Sequence, residues 1–404
     1  MGADSGGKPS VGGLGQALGA RVRRRRLYYV AGFDPASPRK YHALFTAQSA
    51  RQAAVSGARF TVGPLEPMGP IVSGWSVIAE HPGGERVEVD YRFLHWFDIV
   101  RQVWPKDGLG LYVRAWDALI DYFRRGIMRR ALEQAPVVYL ASLAPVVVST
   151  AFILLYALAV IAAAGLGALA AQATGWPWWT GATPSLLLWL AVLWAWRKLD
   201  AVLPVGWIGR GMVCVTAAAR GEIPGLDGRA EAFSRQILEA LVDPAWDEVL
   251  VVGHSMGGQL VCSAVGKAVQ ADPRVGDGRL SLLTLGSLIP LYAMGGKDEA
   301  FRRDLGVLKD AERVFWLDVT SPSDPGSTAA IHPLAGLGLG EPERRPVRRS
   351  PRFHLMSPAI YPKLRRDPLG FHFQYLMATE VDGGYDFFRL TAGPDRLART
   401  AEMS

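Results

Sequence analysis

The sequence predicts an α/β fold with a mostly parallel sheet flanked by helices and interrupted by a two-helix transmembrane hairpin. Strand-like runs such as "RLYYVAGF" and "EVLVV" alternate with helical patterns, which is typical of a parallel sheet covered on both faces. No charged residue occurs from Ala135 to Trp196, and one strand ends in the glycine-rich stretch "GHSMGG". A chain of 404 residues is long enough to bury one large core.

Charge and composition restrict the class of protein. Half of the residues are hydrophobic, and the formal charge of +7 comes largely from arginine clusters within 21–26, 124–130 and 344–352. Such clusters occur in nucleic-acid-binding proteins and beside membrane segments. Because no nucleic-acid-binding module is recognisable, the membrane interpretation is favoured and no nucleic-acid partner is expected.

Cysteines and histidines give no sign of a cofactor. The two cysteines, Cys214 and Cys262, form neither a disulfide framework nor a C-x-x-C metal site, and they fit a reducing compartment. The histidines are scattered, and neither an H-E-x-x-H motif nor a phosphate-binding G-x-x-x-x-G-K-[ST] loop occurs. We therefore expect no metal and no cofactor.

The chain divides into four parts by its patterns. Residues 1–25 are Gly-rich and basic and predict a disordered tail. Residues 26–134 form the first part of the α/β domain, residues 135–198 the hairpin, and residues 199–404 the second part of the domain. The predicted strands lie at 26–33, 59–65, 74–81, 85–93, 248–252, 280–286, 313–319 and 352–356, and the predicted helices at 40–52, 110–134, 227–244 and 256–269.

The uncharged segment predicts two membrane spans, within 137–171 and 185–196, because a span needs about 20 apolar residues. The second is short and could be re-entrant. A buried helical pair in a soluble core is the alternative, but core helices rarely stay apolar for such a length. Three tryptophans, which favour the membrane interface, occupy the turn between the two spans: Trp176, Trp178 and Trp179.

Basic residues flank the hairpin on both sides, at Arg124, Arg125, Arg129 and Arg130 before it and at Arg197 and Lys198 after it. Because positive flanks stay on the cytoplasmic side, both ends of the hairpin are expected there. The sequence thus predicts an integral membrane protein of a bacterial inner membrane, in contact with the lipid bilayer, with its α/β domain in the cytoplasm.

The stretch Gly253-His254-Ser255-Met256-Gly257 matches G-x-S-x-G between a strand and a helix. A serine on so sharp a turn adopts strained backbone angles, so the residues two before and two after it must be small. Gly253 and Gly257 provide that clearance. The turn lifts the Ser255 hydroxyl above the sheet, and the following helix presents free N–H groups, including that of Met256.

This motif in its strand–turn–helix context resembles the nucleophile elbow of the α/β-hydrolase superfamily, in particular its lipase- and esterase-like serine hydrolases. The resemblance implies that Ser255 is a nucleophile and that the Met256 N–H binds an oxyanion. It also implies a catalytic acid and then a histidine later in the chain. A glycine-rich turn with no catalytic role is the alternative.

The acid of this family normally follows the second strand after the nucleophile strand, which here is 313–319. Asp324 lies in that loop and is preferred to Asp318, which lies within the strand. His372 is the preferred base and His354 the alternative, whereas His332 follows the acid too closely. His254 adjoins the serine but points away from the turn, so we do not expect it to be the base.

A second oxyanion donor is expected after the first strand, where the Phe33 N–H is the candidate. The family's usual His-Gly pair is replaced there by Ala31-Gly32, and Asp34 follows closely. A carboxylate beside an oxyanion would be unfavourable unless Asp34 turns toward the start of the next helix.

These observations predict a membrane-anchored serine hydrolase that cleaves a lipid or another hydrophobic acyl ester through an acyl-enzyme intermediate. An acyltransferase with the same nucleophile is one alternative. The other is a non-catalytic membrane protein whose degenerate hydrolase domain serves as an interaction module. Protein partners are not indicated.

Overall fold

The architecture is that of a computed structural model. It describes residues 21–105, 108–175, 177, 182–202, 204–272, 278–294, 296–329, 331–335, 337, 347–349, 362, 366–380 and 385–403. The predicted strand at 352–356, with His354, and the three turn tryptophans at positions 176, 178 and 179 lie outside the described residues.

Within the described residues, nine strands form one sheet. They are β1 (Arg24–Val30), β2 (Arg59–Val62), β3 (Glu66–Gly69), β4 (Val72–Glu80), β5 (Arg86–Leu94), β6 (Glu248–His254), β7 (Leu280–Leu285), β8 (Phe315–Val319) and β9 (Val347–Arg349). Their order across the sheet is β2-β4-β5-β1-β6-β7-β8-β9, and β3 pairs with β4. Neighbouring strands pair in parallel along the series β5-β1-β6-β7-β8-β9. Strand β4 pairs antiparallel with β2, β3 and β5.

Helices surround this sheet. They are α1 (Pro38–Ser56), α2 (Phe97–Val103), α3 (Leu109–Arg124), α4 (Ile127–Gln134), α5 (Pro136–Thr174), α6 (Ala182–Val202), α7 (Val205–Ala219), α8 (Leu226–Val242), α9 (Gly257–Ala271), α10 (Ile289–Ala293), α11 (Glu299–Asp310), α12 (Pro368–His372), α13 (Phe387–Ala392) and α14 (Leu397–Met403). A 3₁₀ turn spans Gln374–Leu376. The predicted α/β class with a mostly parallel, helix-flanked sheet is confirmed.

The central strand β6 shows why the sheet forms. All seven of its residues are buried, and alternate side chains enter opposite cores. Val249 and Val251 face the core built with α3, α7, α8 and α9, whereas Leu250 and Val252 face the core built with α1, α13 and α14. A strand buried on both faces has apolar residues at consecutive positions, which is why "EVLVV" could be recognised as a strand from the sequence.

The basic N-terminal cluster is partly structural. β1 begins at Arg24, two residues before the predicted domain boundary, and Arg25 is fully buried. The Arg25 guanidinium binds the buried Glu248 carboxylate at 2.6 Å and donates to the carbonyl oxygens of Gly393 and Asp395. A buried charge requires such compensation, so the expected disordered tail ends before this residue.

Several elements differ from the predicted ones. The predicted helix 110–134 is two helices, α3 and α4, because Gly126 adopts a left-handed φ of +70° between them. The elements β3, β9, α2, α7 and α10 to α14 were not predicted. Of these, α7 matters most, because it lies over the functional site described below.

Helix α5 has 39 residues and is the one helix of the described chain that is long and apolar enough to cross a membrane by length and composition. Its first turns are buried against the domain at Val138, Ser142 and Pro145, whereas Leu154, Leu158 and Leu166 are exposed farther along. Helix α6 packs against α5, with the Phe152 and Trp196 rings 5.0 Å apart. At about 1.5 Å per residue α5 is about 58 Å long, well beyond a hydrocarbon core of about 30 Å.

The basic residues before α5 do not all face the same surroundings. Arg124, Arg129 and Arg130 are exposed. Arg125 instead donates to the carbonyl oxygens of Met294 and Leu291 and pairs with Asp121, so it fixes the α3–α4 junction to the domain. Arg125 is therefore unavailable as a membrane-flanking charge.

Candidate active site

Ser255 occupies a strained turn between β6 and α9. Its φ is +56°, and among the described residues it is the only one other than glycine with a positive φ. Non-glycine side chains rarely adopt this conformation, because the Cβ crowds the backbone, and such strain clusters at functional sites. The turn is held by the Ser255 N–H, which donates to the Leu285 carbonyl oxygen on β7 at 2.8 Å.

The surrounding glycines are needed for steric reasons. A Cβ on Gly253 would lie 2.7 Å from the Gly257 carbonyl oxygen, and one on Gly257 would lie 2.6 Å from the Ala31 carbonyl oxygen. Gly32 approaches the serine itself, because a Cβ there would lie 2.8 Å from the Ser255 Cβ. The loop after β1 therefore runs directly beside the Ser255 side chain.

Two backbone N–H groups at this point are unpaired within the described chain. Neither the Met256 N–H nor the Phe33 N–H donates a hydrogen bond to a described residue. Met256 immediately precedes the 15-residue helix α9, whose N-terminus carries a partial positive charge. Together, the two groups and the helix end could stabilise a negatively charged oxygen near Ser255.

His372 and Asp324 form a buried pair. The His372 Nδ1 lies 2.9 Å from Oδ2 and 3.1 Å from Oδ1 of Asp324, and each residue is 1% exposed. Because a carboxylate oxygen accepts, Nδ1 carries the proton and Nε2 is left with a lone pair. The two residues are 48 positions apart in sequence, so the fold and not local structure brings them together.

Other groups hold the Asp324 carboxylate in place. The Tyr375 hydroxyl donates to Oδ2 at 3.0 Å, and the Gly326 N–H donates to Oδ1 at 2.8 Å. The Tyr375 hydroxyl in turn accepts the Ser321 N–H at 2.9 Å. Asp324 is thus oriented toward His372 by a network that leaves it little rotational freedom.

A glycine and an indole ring pack against the imidazole of His372. A Cβ on Gly326 would lie 2.6 Å from Nδ1, so only glycine allows the loop to pass there. The Trp207 ring of α7 lies 5.4 Å from the imidazole, centroid to centroid. Trp207 was missed in the sequence because α7 was missed, although "VGWIGRGMVCVTAAA" has the composition of an apolar helix.

Ser255 and His372 line the same cavity of about 170 Å³. The His372 Nε2 is buried and has no hydrogen-bond partner among the described residues, and it does not bond the Ser255 hydroxyl in this structure. Burying a nitrogen without a hydrogen-bond partner costs free energy, so such a group calls for a functional explanation. In ligand-free enzymes the distance between a catalytic serine and its histidine is often long. Because both groups line one cavity, proton transfer between Ser255 and His372 would need the hydroxyl and Nε2 to come within hydrogen-bond distance of each other.

Part of the cavity wall comes from the candidate membrane span α5 and from α7. Val138, Ala141 and Ser142 belong to the first turns of α5, and Ile208 and Met212 belong to α7. Except for Ser142, the lining residues named here are apolar. An apolar space with a few converging polar groups is typical of a site for a hydrophobic small molecule.

Asp34 also lines the cavity, but its carboxylate is already engaged. It accepts from the Ala36 N–H, the Lys40 ammonium and the Tyr41 hydroxyl at 2.8–2.9 Å. Burial raises the pKa of Asp34, but the hydrogen bonds from Lys40 and Ala36 outweigh it and the pKa lies below its usual value. The charge is thus compensated at the start of α1, as the sequence required.

His254 has a role that the sequence did not indicate. Its Nε2–H donates to the His372 carbonyl oxygen at 3.0 Å, and the two rings lie 4.9 Å apart. Burial, followed by the proximity of His372, lowers the pKa of His254 to about 3. His254 is therefore a neutral residue that positions the backbone of His372.

The alternative acid, Asp318, is occupied elsewhere. Its carboxylate accepts from the Thr284 hydroxyl at 2.7 Å and the Ser287 hydroxyl at 3.1 Å, which joins β8 to β7 and the segment after it. Asp324, and not Asp318, is the carboxylate that bonds His372. The alternative base, His354, lies outside the described residues.

For the hydrolase that the sequence predicts, replacing Asp324 with asparagine should lower turnover of an ester substrate by on the order of 10⁴-fold, because an amide cannot hold the same His372 tautomer. The matched control is Asp318→Asn, because the Asp318 carboxylate is equally buried and lies in β8, the strand that precedes the Asp324 loop. The control should lose stability, by about 1–2 kcal/mol for weakened hydrogen bonds, and keep its turnover. Equal losses of turnover in both variants would contradict the assignment of Asp324.

The pKa of His254 predicts a pH effect on stability. Below about pH 6.5 the unfolded chain binds a proton at this histidine, whereas the folded chain does so only near pH 3, so stability falls as the pH is lowered. Between pH 7 and pH 5 this residue should cost about 2 kcal/mol of unfolding free energy. In detergent, the thermal unfolding temperature of His254→Gln should depend less on pH over this range than that of the original protein. An identical pH dependence in the two proteins would contradict this role of His254.

No protein-family model matches this chain, and neither a curated protein nor a solved structure shows detectable similarity to it.

Proposed function

We propose that this protein is a membrane-anchored serine hydrolase of the α/β-hydrolase type that cleaves a hydrophobic ester. The observation that carries the proposal is the strained Ser255, with its φ of +56°, in one cavity with a histidine already bonded to a buried carboxylate. A strained backbone at a serine costs folding free energy. A serine held in this way in one cavity with a hydrogen-bonded His–Asp pair suits nucleophilic catalysis.

In the proposed reaction the Ser255 Oγ attacks the ester carbonyl carbon while the His372 Nε2 takes the hydroxyl proton. The negative charge on the former carbonyl oxygen is stabilised by the Met256 and Phe33 N–H groups. The bond between the carbonyl carbon and the alcohol oxygen then breaks as the carbonyl re-forms, and His372 gives its proton to the departing oxygen, which releases the alcohol and leaves the acyl group on Ser255. Water, activated by the same histidine, releases the acid and restores Ser255.

The membrane part of the proposal depends on α5 and its neighbours. Helix α5 is apolar over 39 residues and largely exposed, which suits a lipid environment. Arg124, Arg129 and Arg130 before it and Arg197 and Lys198 near the end of α6 favour a cytoplasmic position for the α/β domain. Because α5 also contributes to the cavity wall, the proposed site opens close to the membrane.

The proposal is tested by trapping the acyl-enzyme. The protein, purified in detergent, is mixed with p-nitrophenyl butyrate, quenched in acid and digested for mass spectrometry. We expect a burst of nitrophenol and a butyryl group on the peptide that contains Ser255. Folded protein that neither releases nitrophenol above the buffer rate nor carries the butyryl group would contradict the proposal.

A further inference from the structure

A second, larger space lies between four helices beside the cavity of Ser255. This groove has a volume of about 420 Å³ and is formed by α3, α5, α6 and α7. Its described lining residues include no charged side chain, and the largest of them are Tyr112, Phe152, Tyr156, Trp189 and Trp196. Its size is in the range of small-molecule sites, and its lining excludes a charged ligand portion.

The rim of the groove is apolar and faces outward. Leu109 on α3 is 72% exposed, Ile153 on α5 is 45% exposed, and Leu193 on α6 is 39% exposed. Contiguous apolar surface of this kind is unfavourable in water and marks a contact with a membrane or another apolar partner. The exposed face of α5 continues past the rim through Leu154 and Leu158, so the groove opens on the same surface as the candidate span.

The groove and the cavity share two walls. On α5, Ser142 lines the cavity and Pro145 lines the groove, less than one helical turn farther on. On α7 the consecutive residues Ile208 and Gly209 line the cavity and the groove, respectively. Gly209 faces Pro145 without a side chain, and a Cβ there would reach ordinary contact distance, 3.4 Å, from the proline.

We infer that the groove holds the distal part of a long acyl chain whose carbonyl carbon lies at Ser255. The inference rests on the proposed function and names its substrate class, a long-chain lipid ester that enters sideways from the bilayer. The path along α5 from Ser142 to Ile153 is about 16 Å, so a short acyl group would leave the groove unused. The uncharged lining and the lipid-facing rim both favour a hydrocarbon chain as the occupant.

The inference is tested with p-nitrophenyl palmitate and p-nitrophenyl butyrate and with the protein in phosphatidylcholine nanodiscs. Ser149, a groove residue on α5, is replaced by tryptophan to fill the space. We expect kcat/KM for the palmitate ester to fall at least about tenfold and that for the butyrate ester to be unchanged, since contacts with single methylenes already discriminate substrates to about this extent.

The matched control is Ala151→Trp, which adds the same ring two residues farther along α5, at an exposed position that does not line the groove. It should leave both esters unaffected. A Ser149→Trp protein that hydrolyses both esters like the original would overturn the inference, and so would an equal palmitate loss in Ala151→Trp. Retained butyrate turnover shows that the variant is folded.

Binding is measured separately with a diazirine-bearing palmitic acid in the same nanodiscs, which requires no turnover. Photolabelling of peptides from 145–156 or 205–209 that is lost in Ser149→Trp and kept in Ala151→Trp would support the groove even if neither ester were hydrolysed, in which case only the proposed function would fail. Labelling confined to other segments would overturn the inference and leave the proposed function intact.

Discussion

Replacing Ser255 with alanine is expected to lower ester turnover by about 10⁶-fold, to the residual rate that substrate binding and the oxyanion N–H groups support. The alanine variant lacks the oxygen that forms the acyl-enzyme in the proposed reaction. The measurement is the steady-state rate with p-nitrophenyl butyrate in detergent. The burst of nitrophenol should disappear together with the steady-state rate, because both require acylation.

The control for this variant is Ser263→Ala on the same helix that follows the elbow. Ser263 is also buried, and its hydroxyl donates to Asp304 between α9 and α11, away from the cavity. Its loss should affect stability but not turnover. A Ser255→Ala protein that retains the burst would mean that another residue is acylated.

Replacing His372 with alanine should also lower turnover by about 10⁶-fold, because the serine hydroxyl is a weak nucleophile without a base. The variant leaves Ser255 and its backbone strain in place, so it separates the contribution of the base from that of the elbow. We expect the acylation step itself to slow, as measured by nitrophenol release under single-turnover conditions with the protein in excess over the ester.

The matched control is His81→Ala, in the turn between β4 and β5, where the imidazole bonds the Ala392 carbonyl oxygen at 3.0 Å. Normal turnover in this variant would show that loss of a half-buried histidine does not by itself inactivate the protein. If His372→Ala kept more than about a thousandth of the original turnover, the base would have to be another group.

The elbow was predictable from sequence because its cause is local. Gly253 and Gly257 are required within two residues of Ser255, and the flanking strand is buried on both faces, so both patterns are visible in a dozen consecutive letters. The order of β6, β7 and β8 in the sheet also follows their order in the chain, which is why strand counting led to the loop that contains Asp324.

The rest depends on contacts between distant segments. The sequence could not indicate that Tyr375 fixes Asp324, that His254 supports the His372 backbone, or that Trp207 covers the imidazole. Arg25 was assigned to a disordered tail because nothing near it in sequence reveals Glu248, its buried partner on a neighbouring strand. Helix α7 is apolar on several sides, since it lies between α3, α5 and the cavity, and so lacks the amphipathic pattern of a surface helix.

The central claim, that Ser255 is an activated nucleophile, is tested most directly by a fluorophosphonate probe applied to membranes that contain the protein. The probe phosphonylates serines that are activated by a base, and digestion with mass spectrometry identifies the modified residue. The account predicts a single adduct on Ser255, lost in Ser255→Ala and strongly reduced in His372→Ala. Labelling that persists in Ser255→Ala, or its absence from the folded original protein, would contradict it.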